Sequence, residues 1–270
     1  MKLISIVVPS YNHAEYIETC LDSIYFQDYE NLEIIIVDDC STDDSAQIIR
    51  DWINGIEKDT VSFLSRYDEE RDEFIRTSHK RYNKNRSITF LENEQNLGST
   101  GTYNRGFRAV KGEYCSFVAS DDICHPQMYS TLAKHLDADQ ADFVYSDMFI
   151  VDDNHRILQE FQLPDYRFDQ SFCDWYLCGV ATLYKTSLHL SHGYYDETAM
   201  ADDHECYLRF AINGARFLHV KKTLYSHRSH HTRQVGLHGK SRFSALLNHS
   251  KELALKARRW RASQKRAKEK

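Results

Sequence analysis

No apolar run in this 270-residue chain approaches the ~20 residues a membrane-spanning helix needs. The opening stretch, Met1 to Pro9, is apolar but short and β-branched, without a small-residue cleavage site. It reads as a first core strand rather than a signal peptide. The seven cysteines are an odd number with no CxxC pair, which predicts free thiols in a reducing cytoplasm and no disulfide scaffold. Cys173 and Cys178 read as packing residues. Charge is unevenly distributed along the chain. The whole chain carries −6, yet residues 251–270 hold nine Lys or Arg against Glu252 and Glu269. So acidic a body does not suit general nucleic-acid binding. No GxGxxG follows the first strand, which argues against a dinucleotide oxidoreductase. Internal repeats and low-complexity segments are also lacking.

What is present is the makings of one sizeable α/β core, with 41% hydrophobic and 13% aromatic residues. Strands are predicted at Leu3 to Val8, Leu32 to Val37, Ser87 to Leu91 and Tyr114 to Val118. Between them lie helices over Ala14 to Phe26, from Ser41 to about Ile53, and from Asn96-Leu97-Gly98 to near Gly112. The continuous apolar runs suit strands covered on both faces. Residues 54–86 break the pattern and read as an insertion, with apolar residues enough for a short helix or two. The second half is more mixed. It offers a helix at Gln127 to Leu136 and a strand at Phe143 to Ser146. An extended segment from Phe149 to Leu158 turns at Asp152-Asp153-Asn154, and a helix is expected over Phe168 to Leu177. Strands at Val180 to Tyr184 and Ala215 to Val220, a helix after Asp202-Asp203 and a terminal helix from Ser241 complete the pattern.

Repeated strand–helix–strand units imply a parallel sheet with right-handed crossovers, and ligands of such sheets sit beyond the carboxyl ends of the strands. Asp38-Asp39, the Gly98 turn and Asp121-Asp122 all fall at such ends. Each has a plain structural alternative. Pro9-Ser10-Tyr11-Asn12 is a strand-to-helix turn with Asn12 as cap, or a ledge on which Tyr11 stacks under a nucleobase. Asp39 caps a helix with Ser41 and Thr42, or accepts a hydrogen bond from a pyrimidine N–H. Asp121-Asp122 decorates a loop, or ligates Mg²⁺ or Mn²⁺ against a diphosphate. Asp203 caps a helix, or acts as general base toward an attacking hydroxyl. His227-Arg228-Ser229-His230-His231 is a polar surface strand, or supplies a metal ligand or phosphate contact. It lacks the spacing of a zinc site.

In order and spacing, a set of stretches resembles the family 2 glycosyltransferases, inverting enzymes of the GT-A fold. The set is Ser5-Ile6-Val7-Val8-Pro9-Ser10-Tyr11-Asn12, Ile34 to Asp43, Asn96-Leu97-Gly98, Asn104-Arg105-Gly106, Gly112-Glu113-Tyr114, Ser120-Asp121-Asp122, Gly193 to Glu197 and Asp202-Asp203. The resemblance implies that Pro9 and Tyr11 border the base and that Asp39 binds it, commonly uracil. Asn12, Asn96 and Gly98 belong to the same donor site. Asp121 lies near the ribose and diphosphate, and Asp122 is the principal metal ligand. Asp203 is the catalytic base, with Asp202 and Gly179 on the acceptor side. Arg228 approaches the diphosphate and His230 the metal. Three features depart from the family pattern: Ala119 replaces the first Asp of the metal motif, Tyr103 stands where Arg is common, and the 54–86 insertion is long.

The resulting expectation is an α/β GT-A domain over residues 1–240. Its Rossmann-like nucleotide-sugar half spans 1–123, its mixed acceptor half 124–240, and a basic helical tail covers 241–270. A sugar moves, with inversion, from a nucleotide sugar, expected to be UDP-linked, to a saccharide, lipid-linked or protein-glycan hydroxyl. The metal is Mg²⁺ or Mn²⁺. The site is cytoplasmic, with a membrane or protein contact through 251–270 at the inner face. The alternatives are a non-catalytic nucleotide-binding module and a sugar-nucleotide pyrophosphorylase. The latter normally carries a Gly-rich, Lys/Arg-bearing loop where Ser10-Tyr11-Asn12-His13 stands.

Overall fold

The computed structural model describes residues 1–56, 61–68, 70–80, 86–167, 180–229 and 240–268. The chain opens with strand β1 (Ile4–Ser10), helix α1 (Ile17–Tyr25), β2 (Leu32–Asp38) and α2 (Ser45–Ile56). It continues through β3 (Val61–Asp68), β4 (Glu73–Lys80), β5 (Ser87–Glu92), α3 (Gly98–Arg108), β6 (Tyr114–Phe117) and β7 (Ile123–Cys124). The second half holds α4 (Met128–Asp137), β8 (Phe143–Val151), β9 (Ile157–Phe161), β10 (Thr182–Lys185), α5 (Ser187–His192), α6 (Asp202–Ile212), β11 (Phe217–Arg228) and α7 (Lys240–Lys268).

Nine strands form one sheet in the order β5-β2-β1-β6-β10-β8-β11-β7, with β9 paired to β8. β5, β2, β1 and β6 are parallel. β10 runs against both β6 and β8, and β11 runs with β8. β5, β2, β1, β6, β8 and β11 therefore all end at one edge. The chain moves outward from β1 to β2 and β5, then returns to place β6 on the other flank of β1. The crevice between β1 and β6 is thus a switch point of the kind that holds ligands.

The two core strands explain this placement. Every residue of β2 is buried, and β1 is buried except for the half-exposed Pro9. α1 turns Ile17, Cys20, Leu21, Ile24 and Tyr25 onto the sheet at helical spacing. α3 approaches β1 and β2 so closely that a Cβ on Gly106 would overlap Val7 Cγ1. A second, aromatic core joins α3, β6, β8, β10 and the start of β11 to α5 and α6 through Phe107, Phe143, Tyr184, Tyr207 and Phe210. α7 packs on α6 through Leu208, Ala254 and Ala257.

The structure corrects several expectations. The 54–86 segment contains an antiparallel hairpin rather than short helices, with Val61 opposite Lys80 and Asp68 opposite Glu73. Val61, Phe63, Leu64 and Tyr67 are β-formers that outweigh a weak helical period. α3 stops at Arg108 and leaves Gly112 in the following turn. β8 runs on to Val151 and forms a hairpin with β9 across the 152–156 turn. β11 runs to Arg228 and so includes part of the His/Arg stretch. The helix expected over Phe168 to Leu177 lies outside the described residues, as do Gly179 and His230.

Candidate functional site

The turns at the common strand edge are tied together by side chains. After β1, Asn12 takes a left-handed backbone conformation (φ 54°), and after β2 Cys40 does the same (φ 59°). Such conformations are uncommon for residues other than glycine and persist where surrounding contacts hold them. The contacts here are reciprocal. Ser41 Oγ accepts the Asn12 N–H at 3.0 Å, and Asn12 Oδ1 accepts the Thr42 N–H at 2.8 Å. Asn12 is thus a clamp between two loops. Pro9 and Tyr11 remain half-exposed on the same turn.

Asp38 and Asp39 divide the two roles expected of them. Asp38 holds the turn, accepting the Ser41 N–H at 2.9 Å and its hydroxyl at 2.6 Å. Asp39 is buried, and its Oδ1 accepts both Asn93 Nδ2 at 2.6 Å and the Leu97 N–H at 2.7 Å. Asn93 is a contributor that no motif marks, and Leu97, although inside the Asn96-Leu97-Gly98 stretch, has no role of its own in the sequence reading. Asn96 accepts the N–H of Gly98, and both are exposed where α3 begins. Gly98 has φ 76°, which glycine adopts without steric penalty.

Across the switch point, His13 Nδ1 and Ser120 Oγ are 2.6 Å apart, joining the β1 turn to the acidic loop after β6. Asp121 is 2% exposed and Asp122 fully buried. The Asp122 carboxylate accepts the Tyr225 hydroxyl at 3.0 Å, His227 Nδ1 at 3.0 Å and the Arg228 N–H at 2.9 Å. Tyr225 carries no sequence signal, whereas His227 opens the His227 to His231 stretch; the length of β11 brings both here. Arg228 is likewise buried. Its Nε donates to the Asp121 carbonyl at 2.9 Å and its Nη1 to the Asp153 carbonyl at 3.1 Å, while its guanidinium lies 4.9 Å from the Tyr16 ring centroid. Arg228 is thus seated as a strut between the acidic loop and the β8–β9 turn.

α6 brings the last acids. Asp202 and Asp203 occupy its first turn, where the helix dipole favours negative charge. Thr100 on α3 donates its hydroxyl to Asp202 Oδ2 at 2.6 Å, and the Asp203 N–H bonds Asp202 Oδ1 at 2.8 Å. Burial raises the Asp202 pKa against the lowering effect of these two donors. Asp203 Oδ1 accepts the His204 N–H at 2.7 Å. Tyr103 follows Thr100 by one turn of α3 and meets Phe117, the last residue of β6, edge-on. Its pKa is raised by burial first, then by Asp202, Asp121, Asp203 and Asp122. All four carboxylates thus act electrostatically on one phenol. Helix α3 links Asp202 to Asp39, because Leu97 binds Asp39 and Thr100 binds Asp202.

No three His, Cys, Asp or Glu side chains among the described residues form a ready-made metal cluster. A divalent cation held against a diphosphate does not need one. Mg²⁺ takes one or two carboxylates and completes its shell with water and phosphate oxygen. An ionised carboxylate offers about four lone-pair sites. Asp121 and Asp122 bring two adjacent hard-oxygen carboxylates to the carboxyl edge of the sheet, so the donor set fits.

These features define the class: a GT-A fold whose acidic crevice lies at the carboxyl edge of a mostly parallel sheet. The glycosyl transferase family 2 model matches residues 5–66 and 67–184, and the chain belongs to that family. It is 31% identical over 153 residues to glycosyltransferase GlyG of Streptococcus pneumoniae, covering 57% of this chain and 41% of that protein. The fold resembles residues 1–349 of S. aureus TarS in complex with UDP, with TM-score 0.61, 23% identity and coverage of 84% of this chain and 60% of that one. It also resembles the mannosyltransferase PcManGT of Pyrobaculum calidifontis in complex with GDP-Man and Mn²⁺, with TM-score 0.60, 18% identity and coverage of 97% and 75%. The chain thus spans less than half of GlyG and under two thirds of the TarS fragment.

Proposed function

We propose that this protein transfers a sugar, with inversion, from a UDP-linked donor to a hydroxyl acceptor with the help of Mg²⁺ or Mn²⁺. The observation that carries this reading is the way α3 joins the acidic turns: Leu97 binds Asp39, Thr100 binds Asp202, and Tyr103 packs on Phe117 where β6 leads into Asp121-Asp122. Asp39 has engaged Oδ1 with Asn93 and Leu97, and its second oxygen is assigned to a base N–H. Pro9, Tyr11 and Asn12 border the base, and Asn96, Gly98 and Asp121 border the ribose and diphosphate. Asp121 and Asp122 would hold the cation, with His230 as a further candidate ligand. When bound, the cation neutralises charge on the leaving diphosphate. The related fold solved with GDP-Man and Mn²⁺ supports such a site. Arg228 acts by holding the acidic loop in place rather than as a mobile arm to the diphosphate.

Asp203 is the assigned base, taking the acceptor's proton as its oxygen attacks the anomeric carbon. Asp202 and Gly179 line the acceptor side. Replacing Asp203 with Asn lowers turnover by about two to four orders of magnitude while UDP–Mn²⁺ affinity stays unchanged. Asp202 is the rival, because burial raises its pKa as a base requires. A larger turnover loss in Asp202→Asn than in Asp203→Asn moves the role one residue back. Calorimetry with UDP and Mn²⁺ followed by a donor panel separates an enzyme from a binding module, which binds without turnover. The acceptor is a saccharide, a lipid-linked sugar or a protein glycan. The reading includes a cytoplasmic setting, with segment 251–270 touching an anionic membrane face. No helix among the described residues is long and apolar enough to cross a membrane.

A further inference from the structure

We propose that the Tyr103 hydroxyl contacts a hydroxyl group of the sugar being transferred and helps to set which sugar the crevice accepts. This rests on the glycosyltransferase reading above. The ring is seated by the protein itself. It meets Phe117 edge-on with centroids 5.1 Å apart, tilts against Tyr195 at 5.7 Å and lies nearly parallel to Phe107 at 6.5 Å. Its rotamer freedom is lost on folding, so a bond from the hydroxyl to a ligand costs little further entropy. Thr100, one helical turn before it, fixes the same face of α3 to Asp202. Tyr103 donates no hydrogen bond to a described residue.

The place and the chemistry of this group point to the sugar. On one side stand Asp121 and Asp122, assigned to the cation and diphosphate. On the other stand Asp202 and Asp203, assigned to the acceptor. The transferred sugar connects these two ends, since its anomeric carbon bears the diphosphate and receives the acceptor oxygen. Tyr103 touches Phe117, where β6 leads into the Asp121-Asp122 loop, and follows by one turn the Thr100 that binds Asp202, so it lies between the two acid pairs and beside the sugar. Burial and the surrounding carboxylates keep the phenol protonated and neutral. A neutral hydroxyl donates one hydrogen bond and accepts others. That matches a sugar hydroxyl, which does both, better than a phosphate oxygen, which only accepts.

The test is Tyr103→Phe, which keeps the ring packing and removes one oxygen. Donor hydrolysis and transfer are measured with UDP-glucose, UDP-galactose, UDP-N-acetylglucosamine and GDP-mannose, beside UDP–Mn²⁺ affinity and thermal unfolding. The expected result is about a tenfold loss of kcat/KM on the sugar the unaltered protein prefers, narrower discrimination among the donors, and unchanged UDP affinity. Equal kcat/KM and unchanged selectivity overturn the inference, and so does a parallel loss of UDP affinity, which places the hydroxyl at the nucleotide. Deoxy analogues of the preferred donor make the same test on the unaltered protein. One of them loses about as much as Tyr103→Phe does, and loses nothing more in the variant. If no deoxy analogue is penalised, the inference falls. If the unaltered protein turns over no donor at all, the transferase reading fails first, so the two failures are distinguishable.

Discussion

Single side chains in this fold carry measurable proton linkage, and His189 shows it most clearly. It is 2% exposed, with Nε2 3.0 Å from the Tyr184 hydroxyl and Nδ1 3.2 Å from the Gly193 carbonyl. These partners suit the neutral ring protonated on Nδ1. Burial pushes its pKa down to about 4. The unfolded chain takes that proton near 6.5, so the unfolded state gains protons first as pH falls. The stabilisation is complete above about 6.5 and is lost as pH drops toward 4, up to about 3 kcal/mol. Thermal unfolding across that range should show the loss, and His189→Gln should flatten it. A variant with the same slope as the parent would assign the effect to other groups. The acids of the crevice were legible from sequence because each follows an apolar strand or opens a helix. Their hydrogen-bond partners were not. Asn93, Thr100, Tyr225 and His227 reach Asp39, Asp202 and Asp122 through pairings that only the folded sheet creates.

Among the elements, α3 is the one whose position matters most to the site. Gly106 lets it approach Val7 and Val37 on β1 and β2. Gly106→Ala forces it outward, with an overpacking cost of about 1–3 kcal/mol, partly offset by alanine's better helix propensity of about 1 kcal/mol. Because Leu97 and Thr100 lie at the start of that helix, the shift should weaken UDP–Mn²⁺ binding and slow turnover together, as read by calorimetry and a donor assay. A loss of stability with both functions intact would show that the helix start stays in place. The parallel strands β1, β2, β5 and β6 were readable as apolar runs. The 61–80 hairpin was not, because its charged residues dilute the alternation. Asp147 interrupted the apolar run of β8, and the extra length of β11 was hidden by polar residues that lie opposite Phe149, Ile150 and Val151, with two register shifts near Thr223.

At the scale of the whole molecule, charge is separated from chemistry. Ala201 donates its N–H to His249 Nδ1 at 3.3 Å, while further along Leu208 shares a cluster with Ala254 and Ala257. α6 and α7 therefore run in the same direction, and the basic end of α7 lies about 28 Å beyond His249 along its axis. Ala257 is its last buried residue, and 258–267 are exposed. Truncation after Ala257 should leave unfolding temperature and transfer to a soluble acceptor nearly unchanged. It should abolish cosedimentation with vesicles of mixed phosphatidylcholine and phosphatidylglycerol, since each basic residue near such a surface contributes about 1 kcal/mol. Equal cosedimentation by both forms would remove the tail from that role. The start of α3 has one more consequence. A single backbone amide at residue 97 and a single hydroxyl at residue 100 connect a carboxylate assigned to the nucleobase with one beside the assigned base, so a tug on either acid passes along one rigid turn to the other. On that assignment, docking of the donor and deprotonation of the incoming alcohol would share one short, stiff segment.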